Sequence, residues 1–274
     1  EIPEYLNEIV FFLGQNYNFI WQNTNQNLLF NGNHINSNAD FDKYLNFHNY
    51  KFKNEINEIG GYVILKNKNV ILSVDVGPSP KKKFSNDYQS GALSFEVFFN
   101  NCKLISNCGY FQNYKHQLNS ISKSTAAHST VILDNRSSCK MKKDTDGIFK
   151  VDDELKILNK SILCEKKYWN ISGSHDGYLK KYGVIHEREL EFFVEKNKFI
   201  GKDKLIKNKK FKSSNFEIRF HFEPGVKITK TQNEKSILIE LENSGWKFSC
   251  KDHKIDVETG LYFGRKNSFV ENQN

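Results

Sequence analysis

The sequence lacks both a long hydrophobic run and an export signal at its start. No stretch of about 18 apolar residues occurs, so no transmembrane helix and no membrane partner are expected. The first residues, EIPEYLNEIVFFLGQN, carry neither the basic flank nor the small-residue cleavage site of a signal peptide. The chain does not begin with Met and contains a single one, Met141. We therefore expect a soluble domain from a longer protein whose targeting signal, if any, lies upstream.

Cysteine is also scarce, and its spacing excludes two common kinds of site. The five cysteines are odd in number and include no CxxC pair, so neither a zinc ribbon nor a complete disulfide framework is predicted. Cys102 and Cys108 flank one predicted strand, and the extended chain between them keeps them too far apart to bridge. We expect most of the cysteines to be small buried hydrophobic residues.

Positive charge is in excess. Forty Lys and Arg residues against 32 Asp and Glu residues give a formal net charge of +8, which favours an anionic partner such as an acidic polysaccharide. The lysines are spread along the chain, with one compact run at Lys81–Lys83, and an ordinary solvated surface also explains them. No signature of an RNA-recognition motif, OB-fold or helix-turn-helix is present, so nucleic acid is not expected as a partner.

The chain divides into two parts by pattern. Residues 2–13 place apolar side chains at helical spacing before Gly14, which predicts one short amphipathic helix. Residues 15–57 are rich in Asn and aromatic residues and show no sustained period, which indicates an ordered connector. We therefore separate a helix with its connector at 1–58 from a second domain at 59–274.

From Gly60 onward, short strands alternate with turns. GYVILK and VILSVDV form one predicted hairpin, and ALSFEVFF with CKLISNCG forms the next. No helical pattern separates the strands, which predicts an all-β fold, a two-layer antiparallel β-sandwich. In the run FEIRFHF at 216–222 the four apolar residues should face the core, and Glu217, Arg219 and His221 should face solvent.

Three segments concentrate polar residues at predicted strand ends. They are DYQSGALSFE at 87–96, SNCG at 106–109 and STAAHSTV at 124–131, and they stand between VDVGP at 74–78 and HDGY at 175–178, which GVIHER at 183–188 follows. In this order, the motifs resemble those of the heparinase II/III-like polysaccharide lyases, over about residues 60–265.

The resemblance implies a lyase built from an (α/α) toroid followed by a β-sandwich, which cleaves uronic-acid-containing polysaccharides by β-elimination. It also implies an acidic polysaccharide as substrate, a toroid domain as partner and a periplasmic or extracellular location. The chain matches the sandwich alone, so we expect it to line the substrate cleft and to be inactive by itself. The alternative is a non-catalytic carbohydrate-binding or scaffolding module.

The resemblance also suggests site residues. The family's His-x-His-x-Asp metal segment falls on Asp87, Gln89 and Gly91, its turn Asp on Asn107, and its last His on His128. Because neutral amides bind zinc poorly, Gln89, Asn107 and His128 would form a degenerate metal site or a hydrogen-bond network between strands. His128 is the candidate catalytic residue, with a structural histidine as the alternative.

The HDGY and GVIHER motifs supply candidate substrate contacts. His175 and Tyr178 could contact sugar, although Asp176 and Gly177 between them favour a turn. Arg188 could bind a uronate carboxylate, or it could belong to an Arg–Glu ladder between neighbouring strands.

Overall fold

The computed structural model describes residues 57–100, 102–212, 214–241, 244–264 and 268–274. The helix predicted at 2–13 and most of the predicted connector lie outside the described residues. Residues 58–274 form one compact unit. Over the described ranges, no helix is long and apolar enough to cross a membrane.

Short strands account for most of the regular structure. The first ten are β1 (Asn57–Ile59), β2 (Tyr62–Lys66), β3 (Val70–Asp75), β4 (Phe95–Phe99), β5 (Cys102–Ser106), β6 (Val131–Leu133), β7 (Lys140–Lys143), β8 (Phe149–Asp153), β9 (Ile157–Cys164) and β10 (Tyr168–His175). The others are β11 (Val184–Phe193), β12 (Lys198–Lys207), β13 (Phe216–Ile218), β14 (His221–Phe222), β15 (Lys227–Lys230), β16 (Ser236–Leu241), β17 (Ser244–Ser249), β18 (Thr259–Tyr262) and β19 (Val270–Gln273). Two short α-helices, α1 (Gln117–Ser122) and α2 (Leu179–Tyr182), connect strands, together with 3-10 turns at Lys82–Phe84, Thr125–Ala127 and Val194–Lys196.

The strands form two main antiparallel sheets. One has six strands in the order β1-β2-β3-β4-β5-β14, and the other has four in the order β12-β11-β10-β9. A three-stranded sheet, β15-β16-β17, and the pairs β6-β13, β7-β8 and β18-β19 complete the unit. The two predicted hairpins are confirmed as β2-β3 and β4-β5. The predicted all-β sandwich is therefore confirmed.

One apolar core joins the two main sheets. Leu72 and Val97 of the six-stranded sheet belong to the same buried cluster as Trp169 and Phe192 of the four-stranded sheet. Strand β11 shows how the sequence builds this layer, because its side chains alternate between buried and half-buried over all ten residues.

The inner face of β11 is not uniformly apolar. It runs from Val184 through His186 and Arg188 to Leu190 and Phe192, and all five side chains are buried. Val184 belongs to a smaller apolar cluster, whereas Leu190 and Phe192 belong to the main core. A layer with an imidazole and a guanidinium group therefore lies between two hydrophobic clusters.

The prediction of which side chains face the core in residues 216–222 is correct for Glu217 and Phe222 and wrong for Phe216, Ile218 and His221. The run does not form one strand: β13 pairs with β6, and β14 pairs with β5 of the six-stranded sheet. All three residues of β13 are exposed, with Phe216 at 47%, whereas His221 and Phe222 of β14 are both buried, with His221 at 2%. The sequence alternates between apolar and polar residues, but burial does not follow it, because the chain changes sheets in the middle of the run.

We predict that Phe192 is essential to the core. Its ring stacks on Phe199 with centroids 4.3 Å apart and contacts Trp169 at 5.0 Å. Phe192→Ala should lower the free energy of unfolding by about 3–5 kcal/mol, because the cavity cannot collapse between two sheets. Urea unfolding of Phe84→Ala is the control: Phe84 is 69% exposed, so that variant should change stability by under ~0.5 kcal/mol. Similar losses in both variants would contradict this account.

Candidate functional site

The polar segments at 87–96 and 124–131 meet where their chains pack around Gly91. The ring of His128 lies against Gly91, so closely that a Cβ there would lie 2.7 Å from the ring's Cδ2 atom. The side chain of Gln89 reaches the same ring, with its Oε1 atom 3.3 Å from His128 Nε2. Two of the three residues predicted to cluster are therefore in contact.

The hydrogen bonds of His128 determine its tautomer. Its Nδ1 atom lies 2.8 Å from the carbonyl oxygen of Ser124, which can only accept, so Nδ1 carries the proton. Burial lowers the pKa of His128 to about 4, so the ring is neutral near pH 7 and Nε2 holds a lone pair. That lone pair forms a hydrogen bond if the amide of Gln89 presents its NH2 group.

Asn107 adjoins this pair through the backbone of Ser129. Its Oδ1 atom accepts from the N–H of Ser129 at 2.8 Å, and its Nδ2 atom lies 3.4 Å from the hydroxyl of Ser94. The backbone N–H of Asn107 donates to Glu96 at 3.0 Å. Asn107 thus joins the end of β5 to the segment that carries His128.

Asp87, the fourth predicted position, lies in a separate group. One of its carboxylate oxygens accepts from Tyr114 at 2.6 Å and from Tyr110 at 3.1 Å. The ammonium group of the buried Lys123 lies 5.4 Å from the centroid of the Tyr114 ring and donates to the carbonyl oxygens of Asn86 and Phe149. The carboxylate of Asp87 therefore accepts hydrogen bonds from two tyrosine hydroxyls, and Asp87 is otherwise exposed.

These residues do not fit a zinc site. In the described part of the chain, no group of three or more His, Cys, Asp or Glu side chains could hold a metal ion. Gln89 Oε1 lies 3.3 Å from His128 Nε2, Asn107 Oδ1 accepts from a backbone N–H, and Gly91 has no side chain. The arrangement matches the alternative of a hydrogen-bond network between strands.

A second polar network contains two of the predicted substrate residues. Gly177 donates its N–H to Nδ1 of His175 at 3.1 Å, so the proton of His175 is on Nε2, which lies 3.1 Å from Nδ1 of His186. The other nitrogen of His186 donates to Asp203 at 2.7 Å. Burial lowers the pKa of both imidazoles, so each ring is neutral with one assigned tautomer.

Arg188 connects this network to the candidate site. Its Nε and Nη2 atoms bind the two oxygens of Asp203 at 2.8 and 3.0 Å, and its charge holds the pKa of that carboxyl well below the usual range despite burial. Its Nη1 atom donates to the carbonyl oxygens of Leu93 at 3.0 Å and Ser129 at 2.6 Å. The predicted Arg–Glu ladder is wrong, because Arg188 points inward to an Asp on β12 while Glu187 pairs with Lys204 on the outer face.

The predicted substrate residues are all internal in this structure. His175 and Tyr178 are 1% exposed and Arg188 is 2% exposed. The hydroxyl of Tyr178 donates to the carbonyl oxygen of Val131 at 2.8 Å, and Asp176 accepts from the N–H of Lys156 in the predicted turn. Substrate contact by these residues remains a prediction, and each has a protein partner here.

Sequence reasoning missed His186, Asp203 and His221. The spacing H-x-R places His186 and Arg188 on one face of a strand, and this period of two was the signal for a shared buried site. His221 gave no such signal: it donates from Nε2 to the carbonyl oxygen of Ala126 at 2.9 Å, and Nδ1 lies 3.2 Å from Sγ of Cys108. Burial raises the pKa of the Cys108 thiol to about 12, so this pair is structural and not nucleophilic.

We predict that Arg188 acts in stability. Arg188→Met leaves the carboxylate of Asp203 buried without its cation, which should cost about 3–5 kcal/mol of unfolding free energy in urea. The control is Arg219→Met, which breaks an exposed ion pair with Glu217 and should cost at most about 1 kcal/mol. A stable Arg188→Met chain that loses only polysaccharide binding would instead assign Arg188 to substrate.

We predict that the fold weakens in acid. Folding lowers the pKa of four buried imidazoles below the unfolded value, so their contribution is complete above about pH 6.5 and is lost as the pH falls; they are His128, His175, His186 and His221. Burial raises the pKa of Asp75 to about 7 and also raises that of Glu223, which opposes the trend. Four groups outweigh two, so the unfolding free energy should fall by about 2–3 kcal/mol from pH 6 to pH 5.

Measuring the unfolding free energy against pH in two variants tests whether the buried imidazoles cause this slope. His221→Gln should reduce this slope by up to ~1.4 kcal/mol per pH unit, whatever its effect on stability at neutral pH. Phe84 is 69% exposed and carries no ionisable group, so Phe84→Ala should leave the slope unchanged. An unchanged slope in the His221 variant would show that the acid sensitivity arises elsewhere.

We also predict that the chain holds no stoichiometric zinc. After dialysis against micromolar zinc, elemental analysis should find far less than one ion per chain, because amide oxygens replace carboxylate and imidazole ligands. The double variant Gln89→His with Asn107→Asp supplies the missing donors and should retain more zinc. One zinc per wild-type chain would contradict the prediction.

Comparisons with known proteins place this geometry in a family. The family model of the heparinase II/III-like C-terminal domain matches residues 58–274. No curated protein sequence matches the chain.

Two solved lyases share the fold. The heparan sulfate lyase HepC from Pedobacter heparinus has a TM-score of 0.64 and 14% identity over 86% of this chain and 38% of its own. A heparinase III has a TM-score of 0.62 and 15% identity over 86% of this chain and 37% of its own. At these identities the likeness shows the fold alone, and the chain spans less than two fifths of either structure. The family match over residues 58–274 shows that the chain belongs to the heparinase II/III-like family and carries its C-terminal domain.

Proposed function

We propose that this chain is the β-sandwich domain of a polysaccharide lyase that cleaves an acidic, uronic-acid-containing polysaccharide by β-elimination. In the intact protein it would line one wall of the substrate cleft, opposite an N-terminal (α/α) toroid. The family match and the fold shared with two heparan sulfate and heparin-type lyases support the substrate class. Because those enzymes are more than twice as long as the matched region, a second domain is part of the proposal.

The main observation behind the proposal is that the three polar segments, 87–96, 106–109 and 124–131, lie together in the fold. Gln89, Asn107 and His128 come from distant parts of the chain and meet at the end of the six-stranded sheet. Gln89 and Asn107 are half-buried, so their amide groups lie near the surface beside the buried ring of His128. A wall with these groups suits a substrate rich in hydroxyl and carboxylate groups.

The chemistry explains why this wall alone should not catalyse the reaction. β-Elimination needs neutralisation of the uronate carboxylate, a base for the C5 proton and an acid for the leaving O4 oxygen. His128 has the right protonation state for a base, but it is 4% exposed and its free nitrogen faces Gln89. Gln89, Asn107 and His128 include no cation to neutralise the carboxylate and no acid to protonate O4, so we assign these two functions to the toroid.

The second candidate is a non-catalytic carbohydrate-binding or scaffolding module. The observation that favours it is the replacement of the family's ligand positions by Gln89, Gly91 and Asn107. A longer protein with a Tyr and an Asn or His in its toroid cleft would favour the lyase. We also propose a periplasmic or extracellular location, which fractionation of cells that express the full reading frame would test.

We predict that the 274-residue chain alone yields no ultraviolet-absorbing unsaturated uronate from heparin, heparan sulfate or alginate. Without a carboxylate-neutralising group and an acid, the barrier should remain close to that of solution. The same chain joined to its upstream region should form product, and His128→Ala should then reduce it without unfolding the protein. If the chain alone formed product and His128→Ala abolished it, the assignment of catalysis to the toroid and of a cleft wall to this domain would be overturned. A catalytically silent full-length protein would favour the non-catalytic module.

A further inference from the structure

A pocket whose lining includes neither Gln89 nor His128 lies between β6, β11, β12 and β13. Its volume is about 330 Å³, which is within the range of small-molecule sites, ~300–1,000 Å³. Val184 and Leu205 form part of its floor, and Phe211, Phe216 and Ile218 form its rim. The pocket therefore has the size and the lining of a site for a compact ligand.

The rim exposes three large hydrophobic side chains together. Phe211 is 37% exposed, Phe216 is 47% exposed and Ile218 is 38% exposed. Single exposed hydrophobic residues are normal, but a contiguous group beside a pocket indicates a binding surface. Two aromatic rings at one rim offer flat surfaces on which the apolar C–H face of a sugar ring can pack.

One lysine lines the pocket, and three more lie close to it in the sequence. The ammonium group of Lys207 lines the pocket and lies 4.2 Å from the centroid of the Phe211 ring. Lys209, Lys210 and Lys212 follow it in the sequence and are exposed. These four lysines give the rim a positive potential that attracts an anion.

The acidic side chain that lines the pocket does not neutralise the positive charge of these lysines. Among the described lining residues the only acid is Asp203, and both of its oxygens bind Arg188. His186 also donates to this carboxylate. Asp203 is therefore already paired with an internal cation, and the lysines remain available to a ligand.

We propose that this pocket binds one anionic sugar residue of an acidic polysaccharide, stacked on Phe211 and Phe216 with its carboxylate or sulfate against Lys207. The polysaccharide class rests on the proposed function, whereas the position of the site does not. Val131, which lines the pocket, stands three residues after His128 on the chain. One polysaccharide chain would thus contact the sandwich at a second place besides the cleft wall.

The chain offers a matched control for this site. Lys83 lies over the ring of Phe84 with its nitrogen 4.6 Å from the centroid, so the same cation and aromatic ring occur elsewhere on the surface. Phe84 is 69% exposed, and neither residue lines the pocket. Substitution at either pair removes one positive charge and one exposed ring, and the pocket is the only designed difference.

The test measures binding of a size-defined heparin hexasaccharide to the 274-residue chain by calorimetry at two salt concentrations. The pocket variant, Lys207→Gln with Phe211→Ala, should weaken the Kd by about 5- to 20-fold. The control variant, Lys83→Gln with Phe84→Ala, should weaken it by less than about twofold. Uncharged maltohexaose should not bind, and thermal unfolding should confirm that both variants fold.

A fluorescence reporter keeps the test informative if the pocket variant is unstable. The chain already contains three tryptophans, so the wild-type response is subtracted: Phe211→Trp should then show an added change in emission with the hexasaccharide, and Phe84→Trp should not. Equal losses of affinity in the two double variants, with no signal from the tryptophan at 211, would overturn the pocket and leave the proposed function intact. The pocket site would also be overturned if single-stranded DNA bound as tightly as heparin and lost the same affinity in the variants. The surface would then bind any polyanion through charge alone. No heparin binding by the wild-type chain would overturn the pocket site, whereas the proposed function fails only if the longer protein forms no product.

Discussion

The buried ion pair between Arg188 and Asp203 is the interaction on which the rest of this structure depends. An arginine remains charged in proteins, so its burial between two apolar clusters requires an ionised partner and acceptors for its other N–H groups. Asp203 on the neighbouring strand supplies the partner, and the carbonyl oxygens of Leu93 and Ser129 supply acceptors. Leu93 has a φ of +61°, a conformation that non-glycine residues rarely adopt. One guanidinium group therefore joins two strands of one sheet to two segments that pack against it.

Ser129 transmits this constraint to the candidate site. Its carbonyl oxygen accepts from Arg188, its N–H donates to Asn107, and its hydroxyl donates to the carbonyl oxygen of Ser106 while accepting from the N–H of His221. All polar groups of this residue are thus bound, and His128 is the next residue along the chain. A site held in this way is rigid, which suits a wall that shapes a cleft better than a loop that moves during catalysis.

The two surfaces to which we assign polysaccharide contact differ in how far their polar and aromatic groups are bound within the protein. At the Gln89–His128 pair the polar groups largely satisfy one another, so the wall offers shape and a few hydrogen-bonding groups. At the pocket near Phe211, Lys207 packs on Phe211 and the ring of His253 contacts Phe216, and both phenylalanine rings remain partly exposed. The first surface would orient a substrate, and the second would hold it by stacking and charge.

The sequence by itself determined the fold class, the hairpins β2-β3 and β4-β5, and the family, because these depend on local alternation, turn residues and motif order. It also indicated that Gln89 and His128 lie close together, through the resemblance and not through any local pattern. Tertiary structure alone decided that FEIRFHF divides between two sheets, that His221 is buried, and that Arg188 faces Asp203 rather than a glutamate. The physical reason is that a period of two places side chains on alternate faces but does not say which face is covered, and only the packing of distant strands decides which polar groups are buried and with which partners.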